Sequence, residues 1–150
     1  MSKEFILQKL EELGFTVREA NGLGYAFKYE ELTLLYMPDD DQHFLRFAVP
    51  SIYDVTPQNR PFVLEVANDT NATIKYSKTC VFGESVWTFY EHHLISEDNV
   101  EDIIENGLLL LQATVAVFHR KIEGDDDITE EEEDDDDDSQ NENEGKEDGE

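Results

Sequence analysis

The sequence predicts an α+β domain, an antiparallel five-stranded sheet with helices in the order α-β-β-β-α-β-β-α, followed by an acidic tail. Three observations carry this. Apolar residues recur at helical spacing in three separated segments. Period-two alternation fills the stretches between them, and strands come in runs instead of alternating singly with helices, which disfavours a doubly wound parallel sheet. The charge changes abruptly near residue 123.

Ser2 is placed to cap a first helix running to about Leu13, with Ile6, Leu10 and Leu13 on one stripe and Gly14 as its stop. Phe15 to Ala20 is a short extended segment, and Asn21-Gly22-Leu23-Gly24 is turn chemistry. Tyr25, Phe27 and Tyr29 then alternate with Ala26, Lys28 and Glu30 as a half-buried strand. Strands over Leu32 to Met37 and His43 to Val49 complete a meander, the last with His43, Leu45, Phe47 and Val49 on one side. Thr56-Pro57 or Asn59-Arg60-Pro61 opens a second helix carrying Val63, Val66, Ala67 and Thr70 and ending near Asn71. Thr73 to Thr79 and Ser85 to Glu91 read as a hairpin, with Trp87 and Phe89 on one face and Val86, Thr88 and Tyr90 on the other. Ser96 with Glu97 and Asp98 starts a last helix whose stripe runs Val100, Ile103, Ile104, Gly107, Leu108, Leu111, Val115, Phe118; Arg120 and Lys121 lie in its final turn and Gly124 stops it.

The 150 residues carry a formal charge of −26, very unevenly spread. Residues 123–150 hold 18 acids and one base, a net of −17, whereas residues 1–122 have a net of −9 and all 16 aromatics. Ile128 is the one large apolar residue of the tail, too little to offset the entropy of ordering it, so residues 1–122 are expected to fold and 123–150 to form a disordered tail. With acids outnumbering bases about two to one even in the domain, nucleic acid is a poor partner, because each phosphate contact needs a Lys or Arg. Cys80 is the only cysteine, which excludes an intrachain disulfide and a cysteine zinc cluster. The first residues are broken by charges and lack a signal-peptide pattern, and the most apolar stretch, Gly107 to Phe118, is far short of the ~20 residues that cross a bilayer. These features give a soluble, cytoplasmic protein with no membrane partner.

The order of elements, with Asn68-Asp69-Thr70-Asn71 closing the second helix ahead of a hairpin and with the apolar spacing of Val100 to Phe118, resembles the YbjN-like family over residues 2 to 121. Members of that family are regarded as candidate bacterial sensory-transduction regulators and share the fold of type III secretion chaperones. The resemblance implies an α-β-β-β-α-β-β-α domain that dimerises and binds protein without catalysis. It does not extend to the acidic tail.

Several residues invite chemistry. Asp39-Asp40-Asp41 with His43 suggests a hard-metal site, but the run lacks the spaced ligands, central glycine and closing glutamate of a calcium loop and reads as a turn. Glu91-His92-His93 suggests a metal or acid–base pair, yet neighbours on a strand point to opposite faces. His119 in the last helical turn is placed for the helix dipole. Cys80 has no signature of an activated thiolate, and Asn21-Gly22-Leu23-Gly24 lacks phosphate-loop spacing and precedes a strand. No G-x-S-x-G or H-E-x-x-H is present, so no catalytic, metal or cofactor residue is assigned and no enzyme activity is expected.

The last helix carries the strongest functional signal. Leu109, Leu110, Ala113, Ala116 and Val117 add a second apolar face to its core stripe, and a helix apolar nearly all round is covered on two sides, here by the sheet and by another helix of the chain or a second subunit. The nine consecutive acids Glu130 to Asp138 read as a solubilising segment, with mimicry of a polyanion in a basic partner or the protein's own groove as the functional alternative. The expected function is a noncatalytic interaction module, a homodimer with a chaperone-like or regulatory role, binding another protein or peptide by strand addition or helix capture. The alternative is a small-molecule or metal sensor, or a hydrolase built on Asp39 to His43 or on His92 and His93.

Overall fold

The computed structural model describes residues 2–41, 43–96 and 99–124. The expected tail beyond Gly124 lies outside them, as do Glu97 and Asp98 at the expected start of the last helix. The chain divides into two units, Met1–Phe118 and His119–Glu150; in the second, the described residues are the end of the last helix with Glu123 and Gly124.

Helix α1 spans Lys3–Glu12, and the Ser2 hydroxyl accepts from the Phe5 N–H at 3.1 Å, the expected cap. Its end is a Schellman motif: the Phe15 N–H donates to the Leu10 carbonyl at 3.1 Å and the Gly14 N–H to that of Glu11 at 3.0 Å. Gly14 supplies the φ of 102° the motif requires.

The sheet has six strands, not five: β1 Arg18–Glu19, β2 Tyr25–Tyr29, β3 Leu32–Tyr36, β4 Phe44–Asp54, β5 Ser77–Phe82 and β6 Ser85–His93, in the order β1-β2-β3-β4-β6-β5 and antiparallel throughout. The sixth comes from the extended segment before Asn21, which folds back on β2 through Arg18↔Ala26 and Glu19↔Tyr25. Two residues give no periodicity to read. Strand β4 also continues past Pro50, beyond the expected end of the strand at Val49. Its register with β6 lapses between Val49 and Tyr53 and resumes at Tyr53↔Val86, with Ser51 at φ 52° in the irregular stretch. A proline lacks a ladder donor and is tolerated where pairing lapses.

Helix α2, Arg60–Thr73, opens at Asn59-Arg60-Pro61 and not at Thr56-Pro57. Thr56 and Asn59 bond reciprocally ahead of it, Thr56 N–H to Asn59 Oδ1 at 2.8 Å and Asn59 N–H to Thr56 Oγ1 at 3.1 Å. The chain passes from β4 through α2 to β5 at the sheet edge and returns inward as β6, so the hairpin turn is Gly83-Glu84 and Thr73 belongs to the helix.

Helix α3 spans Val100–Ile122. With α1 it covers one face of the sheet: Ile6 and Leu10 of α1 and Ile104, Leu108 and Leu111 of α3 join Phe27, Leu34, Phe47 and Tyr90 in the main core. At about 25 cal/mol per Å² of apolar surface removed from water, such burial is the dominant favourable term. The opposite face holds a smaller cluster, Ala26, Leu35, Ala48 and Trp87, to which no described helix contributes.

Candidate interaction surface

Helix α3 has two apolar faces with different fates. Val100, Ile104, Gly107, Leu108, Leu111, Thr114, Val115 and Phe118 are buried. Across the α3–β5 contact, the Thr114 hydroxyl donates to the Leu110 carbonyl at 2.7 Å, which leaves the Ser77 hydroxyl to donate to Thr114 Oγ1 at 2.8 Å. Of the second face, Leu109 is 55% exposed, Ala113 and Ala116 are exposed, and Leu110 and Val117 are half-buried at its flank. Leu110 packs against the main core, so the five residues expected to act together divide into three on the surface and two at the boundary.

Beside this face runs an open groove of about 390 Å³, lined by Gln112, Val115 and Ala116 of α3, by Glu30 and Glu31 of the β2–β3 turn and by Leu32 at the start of β3. Burial, then Glu30 and Glu105, push the Tyr29 hydroxyl pKa up, so both carboxylates act on that one point. These turn acids were not legible as part of a surface, because nothing local in the sequence links residue 30 to residue 116.

The residues weighed for chemistry do not converge. Asp39 Oδ1 accepts from the Asp41 N–H at 2.9 Å, while its Oδ2 takes Arg46 Nη2 at 2.6 Å. Asp41 Oδ1 accepts from the His43 N–H at 3.0 Å and lies 3.2 Å from His43 Nδ1; these His43 contacts hold the Asp41 carboxyl below its usual range. This is a self-bonded turn. Arg46 Nε donates to Glu91 at 3.0 Å, and Lys78 pairs with the same carboxylate at 3.0 Å. The His92 ring nitrogen Nδ1 is 2.8 Å from the Tyr90 hydroxyl, whereas His93 lies beside Phe44 and His43. Cys80 is half-buried, and burial pushes its thiol pKa up, away from a reactive thiolate. The turn Asn21–Gly24 joins β1 to β2 as a hairpin. His119 lies in the last turn of α3 with Arg120 and Lys121. Among the described residues no three His, Cys, Asp or Glu gather as a metal site, and no helix is long and apolar enough to cross a membrane.

An antiparallel sheet backed by α1 and α3, with Leu109 of α3 exposed, defines an α+β domain in which the residues weighed for chemistry stay apart. Among solved structures, YbjN from E. coli, a candidate transcription regulator, matches with a TM-score of 0.62 at 9% identity, covering 83% of this chain and 94% of that one. At that identity the likeness is one of fold, and it is the fold that the helix–strand order resembled. No known family pattern matches the sequence, and no curated protein matches it.

Proposed function

We propose that this protein is a noncatalytic, cytoplasmic interaction module with a regulatory or chaperone-like role, built from a folding unit of residues 1–122 and an acidic tail of residues 123–150. The observation that carries the reading is the uncovered face of α3, where Leu109 is 55% exposed beside exposed Ala113 and Ala116. A contiguous exposed apolar patch marks a contact surface more often than a lone apolar side chain does, and the two alanines extend the patch around Leu109. The shared fold with YbjN, a candidate transcription regulator, supports a regulatory role. A second copy of the chain is one occupant of this face, giving the homodimer expected from the sequence.

Light scattering of the full chain at micromolar concentration tests it. A mass of two chains that falls to 17.3 kDa in Leu109→Glu, with circular dichroism unchanged, supports self-association through α3. Leu109 is the residue to change, since Leu110 also packs against the core and its substitution would confound folding with binding.

A further inference from the structure

Resting on the reading of α3 as a contact face, we propose that the groove beside α3 receives a basic amphipathic helix of a partner protein. Two features specify that occupant. Leu109, Ala113 and Ala116 recur at i, i+4 and i+7, so they form a straight ridge whose small residues let a second helix approach closely. Carboxylates border the ridge: Glu30 and Glu31 line the groove across from Ala116, and Asp102 and Glu105 lie two turns and one turn before Leu109 on the same helix. Among the described residues no Lys or Arg lines this groove; the next of either along α3 is Arg120, one turn beyond Ala116.

The exposed carboxylates Glu30, Glu31, Asp102 and Glu105 suit a basic occupant, and a second copy, which Leu109→Glu tests by light scattering, is the competing one. A helix with Leu or Ala on one face and Lys or Arg flanking it satisfies ridge and rim together, the helix-in-groove mode. The expected complex weakens with salt, since the carboxylates are at the surface.

Two synthetic helices with the same Leu and Ala face, one with Lys and one with Glu at the flanking positions, are titrated against the full chain by fluorescence anisotropy at about 0.15 M salt, where charges act over about 8 Å. The Lys helix is expected to bind at least about tenfold tighter than the Glu helix, a difference of about 1.4 kcal/mol. The pair Glu31→Lys and Glu105→Lys is expected to weaken the Lys helix about tenfold, and Ala113→Trp, which fills the ridge, to do the same. Glu65→Lys with Asp69→Lys on the exposed side of α2 makes the same charge change elsewhere and is expected to have less than about a twofold effect. Binding of the Lys helix that survives both Glu31→Lys with Glu105→Lys and Ala113→Trp belongs to the acidic C-terminal segment and overturns the proposal. Absence of binding also overturns it; if Leu109→Glu still converts two chains to one by light scattering, the contact face stands and only the basic partner falls.

Discussion

The side chain of Asn71 closes the outer edge of the sheet at Thr79: its amide donates to the Thr79 carbonyl at 3.0 Å, and its Oδ1 accepts from the Thr79 N–H at 2.7 Å. Phe82↔Ser85 closes the two-residue hairpin, so alternate residues of β5 turn their backbone groups away from β6, Thr79 among them. An unpaired row of such groups is a template for another strand, and α2 blocks it at its midpoint with a side chain that imitates a strand's paired donor and acceptor. Strand addition at β5 is therefore obstructed, and β1 at the other edge offers only two residues.

Asn71→Ala is expected to cost about 1–2 kcal/mol, because it leaves the backbone of a residue only 3% exposed without its partners. It is also expected to promote self-association that grows with concentration. Chemical denaturation followed by light scattering reads both; a variant as stable and as monodisperse as the parent would show the edge bonds to be incidental.

Gly107 of α3 sits against the ring of Tyr90, where a Cβ would lie 2.6 Å from Cε2. In an open helix, Gly→Ala gains about 1 kcal/mol. Here the ring is 3% exposed and its hydroxyl is held 2.8 Å from His92 Nδ1, so Gly107→Ala is expected to destabilise by about 1–3 kcal/mol, and Tyr90→Leu in the same chain to recover part of the loss. Thermal melts of the two single variants and the double variant test the sign.

Leu109 and Leu110 are adjacent and answer different questions. Leu110→Glu places a charge against the main core and is expected to cost about 2 kcal/mol or more, whereas Leu109→Glu is expected to stay within about 0.5 kcal/mol of the parent. Urea midpoints decide; equal losses would return both residues to the core.

Tyr36, 4% exposed beneath α1, has its hydroxyl pKa pushed up to about 12 by burial first, with Tyr25 and Glu4 adding to it. The unfolded chain releases this proton near pH 10, the folded chain only near 12, so stability is full below pH 10 and declines between 10 and 12 as the unfolded state ionises. A loss of about 2 kcal/mol over that window is expected from Tyr36, and Tyr36→Phe removes that share while leaving those of Tyr29 and Tyr90, whose hydroxyl pKa values burial also raises. Phenolate absorbance and urea midpoints between pH 9 and pH 12, the range set by the two pKa values, give the measurement.

The elements with strong periodicity were legible. Ser2 and Gly14 mark both ends of α1 chemically, Trp87 and Phe89 alternate with Val86, Thr88 and Tyr90 on β6, and the stripe from Val100 to Phe118 defines α3. What escaped is nonlocal or too short to have a period. Strand β1 is two residues, β4 crosses a proline by losing its register, and the placement of β6 between β4 and β5 is fixed by pairing that no local pattern encodes. The surface divides likewise. Both apolar faces of α3 could be counted from sequence, but which of Leu109 and Leu110 touches the core depends on how the helix is rotated over the sheet, and the carboxylates of Glu30 and Glu31 arrive from a turn some eighty residues away.

The C-terminal acids are expected to bear on stability through their charge. Residues 125–150 contain 17 acids and one base, and a single large apolar residue, Ile128. Removing them therefore withdraws self-repulsion and almost no apolar surface. Deletion after Gly124 is expected to raise the melting temperature by a few degrees at about 0.01 M salt, where charges act over about 30 Å, and to leave it unchanged near 1 M, where they act over about 3 Å. A melting temperature that falls on deletion at every salt concentration would mean the segment packs against the rest of the chain, with Ile128→Ser in the full chain expected to reproduce the fall. A rise that persists undiminished at 1 M would separate the effect from electrostatics, because no screened repulsion survives there.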